Sequence, residues 1–255
     1  MSWASKRRTA YGGGVFLFFT AIIGIPLAIW IYEPPACFDG KQNQGETAVD
    51  KGGPCLLLDE RTLQPHATLW SRAFPVRGGL YSAVAYIENP NTNAGVRSVR
   101  YRFGLYDEKN ILVAEREGKT YIMPGGITPV FEGGISTGNR IVARTYFEFT
   151  SPLRWERVKD AAGALAISAK ATTDTDSAPR LLAQVENTSV AHVLDPTFIA
   201  VVFDTAGNAF ASSATTLSRI SAREKSDLVF TWPDPFPRLA SRIDILPLLP
   251  PTLDK

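Results

Sequence analysis

The chain has 255 residues, 45% hydrophobic and 20% charged, which is room for two domains of ordinary size and too apolar for a disordered chain. Three of its 27 basic residues precede residue 32 and all 25 acids follow it, leaving 24 basic against 25 acidic residues beyond, a net of −1. The overall charge of +2 therefore gives no basic surface for nucleic acid, which is excluded as a partner on that ground.

In chain order, Lys6, Arg7 and Arg8 come first, in a short stub over residues 1–10. The run from Val15 to Tyr32 carries no charge. About 18–20 apolar residues at ~1.5 Å each cross a bilayer core of ~30 Å, so residues 11–32 are expected to form a transmembrane helix. The basic cluster predicts an N-terminus in the cytoplasm, with Trp30 and Tyr32 at the outer interface. The alternative is a cleaved signal peptide. The apolar run exceeds the usual ~7–15 residues, and "IYEPPACF" supplies no small-x-small cleavage site. The expected location is a single-pass membrane protein with its remaining domains outside the cytoplasm.

Residues 33–60 form a loop or linker holding both cysteines, Cys37 and Cys55. Beyond it, short alternating runs replace any helical period. In "SVRYRFGLYD" Val99, Tyr101, Phe103 and Leu105 share one face, and Arg100, Arg102 and Gly104 the other. "DEKN" at 107–110 reads as a turn.

This pattern returns about 97 residues later. "ATLWSRAFPV" (67–76) aligns with "ALAISAKATT" (164–173), and "SAVAYIENPN" (82–91) with "RLLAQVENTS" (180–189). The register brings Asn89 onto Asn187 and Asp107 onto Asp204. A long-period repeat is a duplicated structural unit. The expected fold is all-β: two tandem Ig- or fibronectin-like sandwiches behind an N-terminal transmembrane helix, over residues 61–155 and 156–255, the second ending in a Pro-rich tail. Phe103-Gly104-Leu105-Tyr106-Asp107 resembles the F-x-L-Y-D signature of bacterial FxLYD domains, as does the preceding Glu88-Asn89-Pro90-Asn91. In the second repeat Ala200, Val202 and Phe203 stand at the corresponding positions and only the Asp remains. The resemblance implies a small β-sandwich of an exported or membrane-anchored protein, and no activity.

Residues 37–55 are similar to a cysteine-containing motif of bacterial surface proteins, with Cys37, Asp39, Gly40, Asn43, Glu46, Thr47, Asp50, Gly52, Gly53 and Cys55 in place and Lys51 where the motif has a cysteine. Two thiols remain, an even number on the oxidising side of a membrane, so a Cys37–Cys55 disulfide is expected. Asp39, Asn43, Glu46 and Asp50 are oxygen donors of the kind calcium prefers. They serve equally to keep a surface loop solvated, and Lys51 beside Asp50 opposes a cation. No other cofactor is expected.

"GISTG" (134–138) has the G-x-S-x-G form with Ser136 as nucleophile, but "NRIVARTYFEF" follows it as an alternating strand with Ile141, Ala143, Thr145 and Phe147 on one side, where that chemistry needs a helix. His66 and His192 lie far apart in sequence, outside metal-ligand spacing. The expected role is non-enzymatic: a membrane-anchored binding, adhesion or envelope-assembly module with a protein partner. A serine hydrolase built on Ser136, or a structural spacer, is the alternative.

Overall fold

A computed structural model describes residues 3–31 and 36–254. The chain divides into two compact units, residues 1–54 and residues 55–255. In the first, α1 (Trp3–Ile31) is apolar on every side, with Pro26 inside it. Its apolar stretch Arg7–Trp30 is 24 residues long, about 36 Å at helical rise, and none of it is buried within the protein. A helix without a polar face or a partner surface is suited to lipid, and an N-terminal signal sequence has the same character.

The second unit begins with β1 (Ala67–Arg77), β2 (Leu80–Asn89), β3 (Ala94–Tyr106), β4 (Leu112–Ile122), β5 (Gly126–Ser136) and β6 (Arg144–Phe149). They form two sheets, in the orders β1-β2-β5 and β4-β3-β6. Val99, Tyr101, Phe103 and Leu105 point into the core between them, against Ala83, Ala85, Ile87, Val130 and Ile135. The alternation read from the sequence is the one the sheet buries.

After β7 (Glu156–Lys159) the pattern repeats in β8 (Leu165–Thr173), β9 (Arg180–Asn187), β10 (Val193–Leu194), β11 (Thr197–Phe203), β12 (Ala209–Thr216), β13 (Arg219–Ile220), β14 (Lys225–Thr231) and β15 (Arg242–Leu248). The sheets are β8-β9-β14 and β12-β11-β15, the same topology as the first repeat, while β10 and β13 pair as a small ribbon. Phe198, Ala200 and Val202 face Leu181, Val185, Leu228 and Phe230 in the second core.

A third core joins the two sandwiches. Phe74, Val84 and Tyr86 on the outer face of the first sandwich pack against Ile199, Val201, Phe203 and Ala209 on the outer face of the second. Trp70 closes one side, its ring 4.3 Å from that of Tyr86. Ser82 and Ser212 share a buried hydrogen bond of 2.8 Å across the contact. Arg72 Nη1 donates to the Ala209 carbonyl at 2.8 Å, and Arg77 Nε to Asp234 Oδ1 at 2.7 Å. The result is four sheets in a stack, β4-β3-β6, β1-β2-β5, β12-β11-β15 and β8-β9-β14.

The ends of this unit converge on one strand. β7 pairs with β3, and Leu57 bridges to Glu156. The C-terminal β16 (Thr252–Leu253) returns to pair with Lys159 and Val158, so the tail lies against the sheet of the first sandwich. Gly95 makes this crossing close: a Cβ there would lie 2.8 Å from Val158 Cγ2.

Where the alternation predicts one strand from Asn139 to Phe149, the chain instead turns at Gly138 and Asn139 and runs irregularly to residue 143, and Ile141 is 74% exposed. The Arg140 guanidinium is tied to Asp107 at 2.6 Å, which holds the segment at the sandwich end until Ala143 N–H meets the Tyr106 carbonyl. Thr145, Phe147 and Phe149 then face inward as the period requires.

If the third core holds the sandwiches together, residues 55–255 unfold in one calorimetric transition. Phe74→Ala, at a site 2% exposed, should cost about 3–5 kcal/mol and separate the two repeats into distinct transitions. Two independent transitions in the unmutated protein would show that the contact does not couple them.

Candidate functional site

The cysteine loop owes its shape to residues in the left-handed region: Gly40, Gln44, Gly45, Asp50, Gly52 and Gly53 all have positive φ. At Gly53 the requirement is also spatial, because a Cβ would lie 2.8 Å from the Gly45 carbonyl oxygen. Thr47 N–H donates to the Lys51 carbonyl at 3.0 Å, and Lys51 N–H to that of Ala48 at 3.0 Å, making a minimal hairpin.

Three of the four candidate calcium donors, Asp39, Glu46 and Asp50, accept from this loop's own amides, whereas the buried Asn43 Oδ1 has no hydrogen-bond partner among the described residues. Asp39 accepts from Asn43 Nδ2 and from Lys41 N–H, both at 2.8 Å, which holds its carboxyl below the usual carboxylate range. Glu46, 6% exposed, accepts from Asp50 N–H at 3.1 Å and Asn43 N–H at 3.3 Å. Asp50 Oδ1 accepts from Gly40 N–H at 3.2 Å. These carboxylates therefore act as turn caps that accept from the loop's own amides. Both cysteines are disulfide-bonded, and the chain has no third, so neither offers a thiolate to a metal.

Ser136 is the last residue of β5, opposite Leu80, and a turn through Thr137 follows it. His66 immediately precedes Ala67, which pairs with Glu88 at the other end of β2. Eight residues of strand separate the two levels, roughly 25 Å. His192 lies in the second sandwich with the Arg219 guanidinium 2.8 Å from its Nε2. The structure thus brings Ser136 to neither histidine.

His66 does belong to a cleft that spacing in the sequence could not show. Its ring lies 5.7 Å from Trp155 and 6.1 Å from Phe149, and Leu63, Pro65, Pro152 and Leu153 complete the walls of a recess of about 640 Å³. The Asn91 side chain fixes the approach by accepting from Gln64 N–H at 2.9 Å and donating to its carbonyl at 2.8 Å. Burial lowers the basicity of His66, with the Glu60 charge opposing it. The three tryptophans that stand near repeat boundaries are packing residues: Trp155 and Trp232 lie in the first and second cores, and Trp70 seals the third.

No family model and no curated protein matches this chain. Among solved structures, red sea bream transglutaminase aligns over 73% of this chain and 30% of its own length, at 8% identity and a TM-score of 0.23. That likeness is too slight to transfer anything from the enzyme.

Three outcomes follow from this geometry. Mass spectrometry of the purified, unreduced protein should find no alkylatable thiol at Cys37 or Cys55; labelling at both would refute the bond. Calorimetric titration with millimolar calcium should give no heat, and heat that disappears in Glu46→Gln would show an ion displacing the loop's own donors. His66, less basic folded than unfolded, makes stability fall as pH drops below about 6.5 toward its lowered folded value. His66→Gln should flatten that part of the stability profile, and an unchanged slope would place the imidazole in water.

Proposed function

We propose that this protein is a single-pass membrane protein, N-terminus in the cytoplasm, that displays a rigid pair of β-sandwiches outside as a non-enzymatic binding or assembly module. The observation that carries this reading is the apolar, unpartnered α1 with Arg7 and Arg8 in its first turns, followed by a disulfide-bonded loop. Disulfides persist on the oxidising side of a membrane, and basic residues stay on the other. The resemblance of residues 103–107 to FxLYD domains and of residues 37–55 to a surface-protein motif supports the same placement. The bilayer is then the first partner, through residues 11–32, and a protein of the cell envelope the second.

The third core favours one further role. Two sandwiches fused face to face resist bending, so the unit also suits a spacer that holds a partner at a fixed place.

Protease added outside intact cells or spheroplasts should digest residues 55–255 and spare an N-terminal fragment carrying α1. A soluble mature form beginning near Pro34 would overturn the anchor. Crosslinking in intact envelopes followed by purification should recover a stoichiometric protein partner if the module binds one, and its consistent absence would leave the spacer.

A further inference from the structure

The two repeats close the same seam differently. In the first sandwich the free edge of β1 meets that of β6: Ala73 N–H donates to Thr145 Oγ1 and Ser71 Oγ to the Thr145 carbonyl, each at 2.9 Å. The strand ladders put Ile243 at the position of Thr145, and Lys170, in the β8 bulge opposite Ala183, at the level of Ser71. Ile243 has no side-chain acceptor, and the contact across the second seam is Lys170 Nζ donating to the Ile243 carbonyl at 3.1 Å. A lysine side chain of four methylenes stands where the first repeat has a direct bond, so β8 and β15 are held apart. No ladder joins them among the described residues.

A cleft of about 490 Å³ opens at this seam, lined by Thr172, Asp176, Phe236, Leu239 and Ile243. Phe236 and Ile243 are half-buried against the second core, whereas Leu239 at the rim is 79% exposed. β8 also breaks register with β9 between Ser168 and Ala171, the kind of bulge that accompanies a specialised edge. Among the described residues the Lys170 ammonium meets a carbonyl and no carboxylate.

We propose that the β8–β15 seam of the second sandwich is the docking slot for an extended segment of a partner protein, which adds as a strand. This rests on the binding-module reading and names its site. Each sheet presents an unpaired edge to the gap, and an extended chain supplies the amides and carbonyls such edges require. Its side chains alternate, so apolar residues at every second position meet Phe236, Leu239 and Ile243. An acidic residue among them matches Lys170. The first sandwich closes the corresponding seam through Thr145.

The test uses the full chain in nanodiscs and a ten-residue peptide of alternating Val and Thr with one central Asp. Binding should slow hydrogen exchange in residues 165–173 and 242–248. N-methylation at alternate residues, which removes amide donors, should weaken binding at least tenfold, and replacing the Asp by Lys should do the same. Closing the seam as the first repeat does, with Lys170→Ser and Ile243→Thr together, should abolish binding without lowering the unfolding midpoint. Should that pair not fold, Lys170→Glu should transfer preference to the Lys peptide. The proposal is overturned by no binding at millimolar peptide, by equal binding of the N-methylated peptide, by protection elsewhere, or by unchanged peptide preference in Lys170→Glu. An envelope partner captured equally by the closed variant overturns the slot and leaves the binding-module reading standing. If the peptide protects the seam but crosslinking finds no envelope partner, the module reading fails instead.

Discussion

The two-sided burial of β2 is the constraint on which the second unit depends. Tyr81, Ala83, Ala85 and Ile87 face the first core, while Ser82, Val84 and Tyr86 face the second sandwich. β11 mirrors it, with Phe198, Ala200 and Val202 inward and Ile199, Val201 and Phe203 outward. A sheet with water on one side alternates apolar and polar residues, whereas these strands are apolar on both faces because both are dry. Neither repeat could present such a strand alone without exposing a continuous apolar face, so each requires the other.

The stack ends at two sandwiches because the faces beyond are polar. The outer surface of β4-β3-β6 corresponds to the surface that β12-β11-β15 buries, yet it carries Arg100, Arg102, Glu115, Glu117 and Glu148. Arg102 pairs with Glu148 and Glu115, which satisfies the charges in place. Exposed pairs of this sort add little stability, but they make addition of a further sandwich costly to desolvate. The repeat therefore diverged on its outer faces while keeping its topology.

What it kept are the residues that make the turns. Asn89 Nδ2 donates to the Ala94 and Met123 carbonyls at 2.7 and 2.8 Å; Asn187 Nδ2 does the same for Ala191 and Ser221 at 2.8 and 3.0 Å. Both asparagines are fully buried, so losing either amide strands backbone carbonyls without donors. Asp107 and Asp204 each accept two loop amides and an arginine, Arg140 in one case and Arg238 in the other. In the cores Ala200 and Val202 stand where the first repeat has Phe103 and Leu105, and Phe203, packed in the third core, stands where Tyr106 is half-buried, while the Asp remains.

The sequence by itself determined the features that rest on local chemistry. The charge-free run of α1, the dry face of β3 and the Asp turns follow from period and turn propensity within a few residues, and the repeat and the pairing of the two cysteines from self-alignment and count. Tertiary structure decided what depends on contacts between distant residues. The apolar runs "SAVAYI" and "FIAVVF" carried the signal of two-sided burial, but only packing shows that they cover each other. Ile141 left its strand because Arg140 reached Asp107, and Asp39, Glu46 and Asp50 turned their oxygens to loop amides because six left-handed residues bent the backbone around them. Lys170 and Ile243 are unremarkable in sequence; their meaning comes from standing opposite one another across a seam that the other repeat closes.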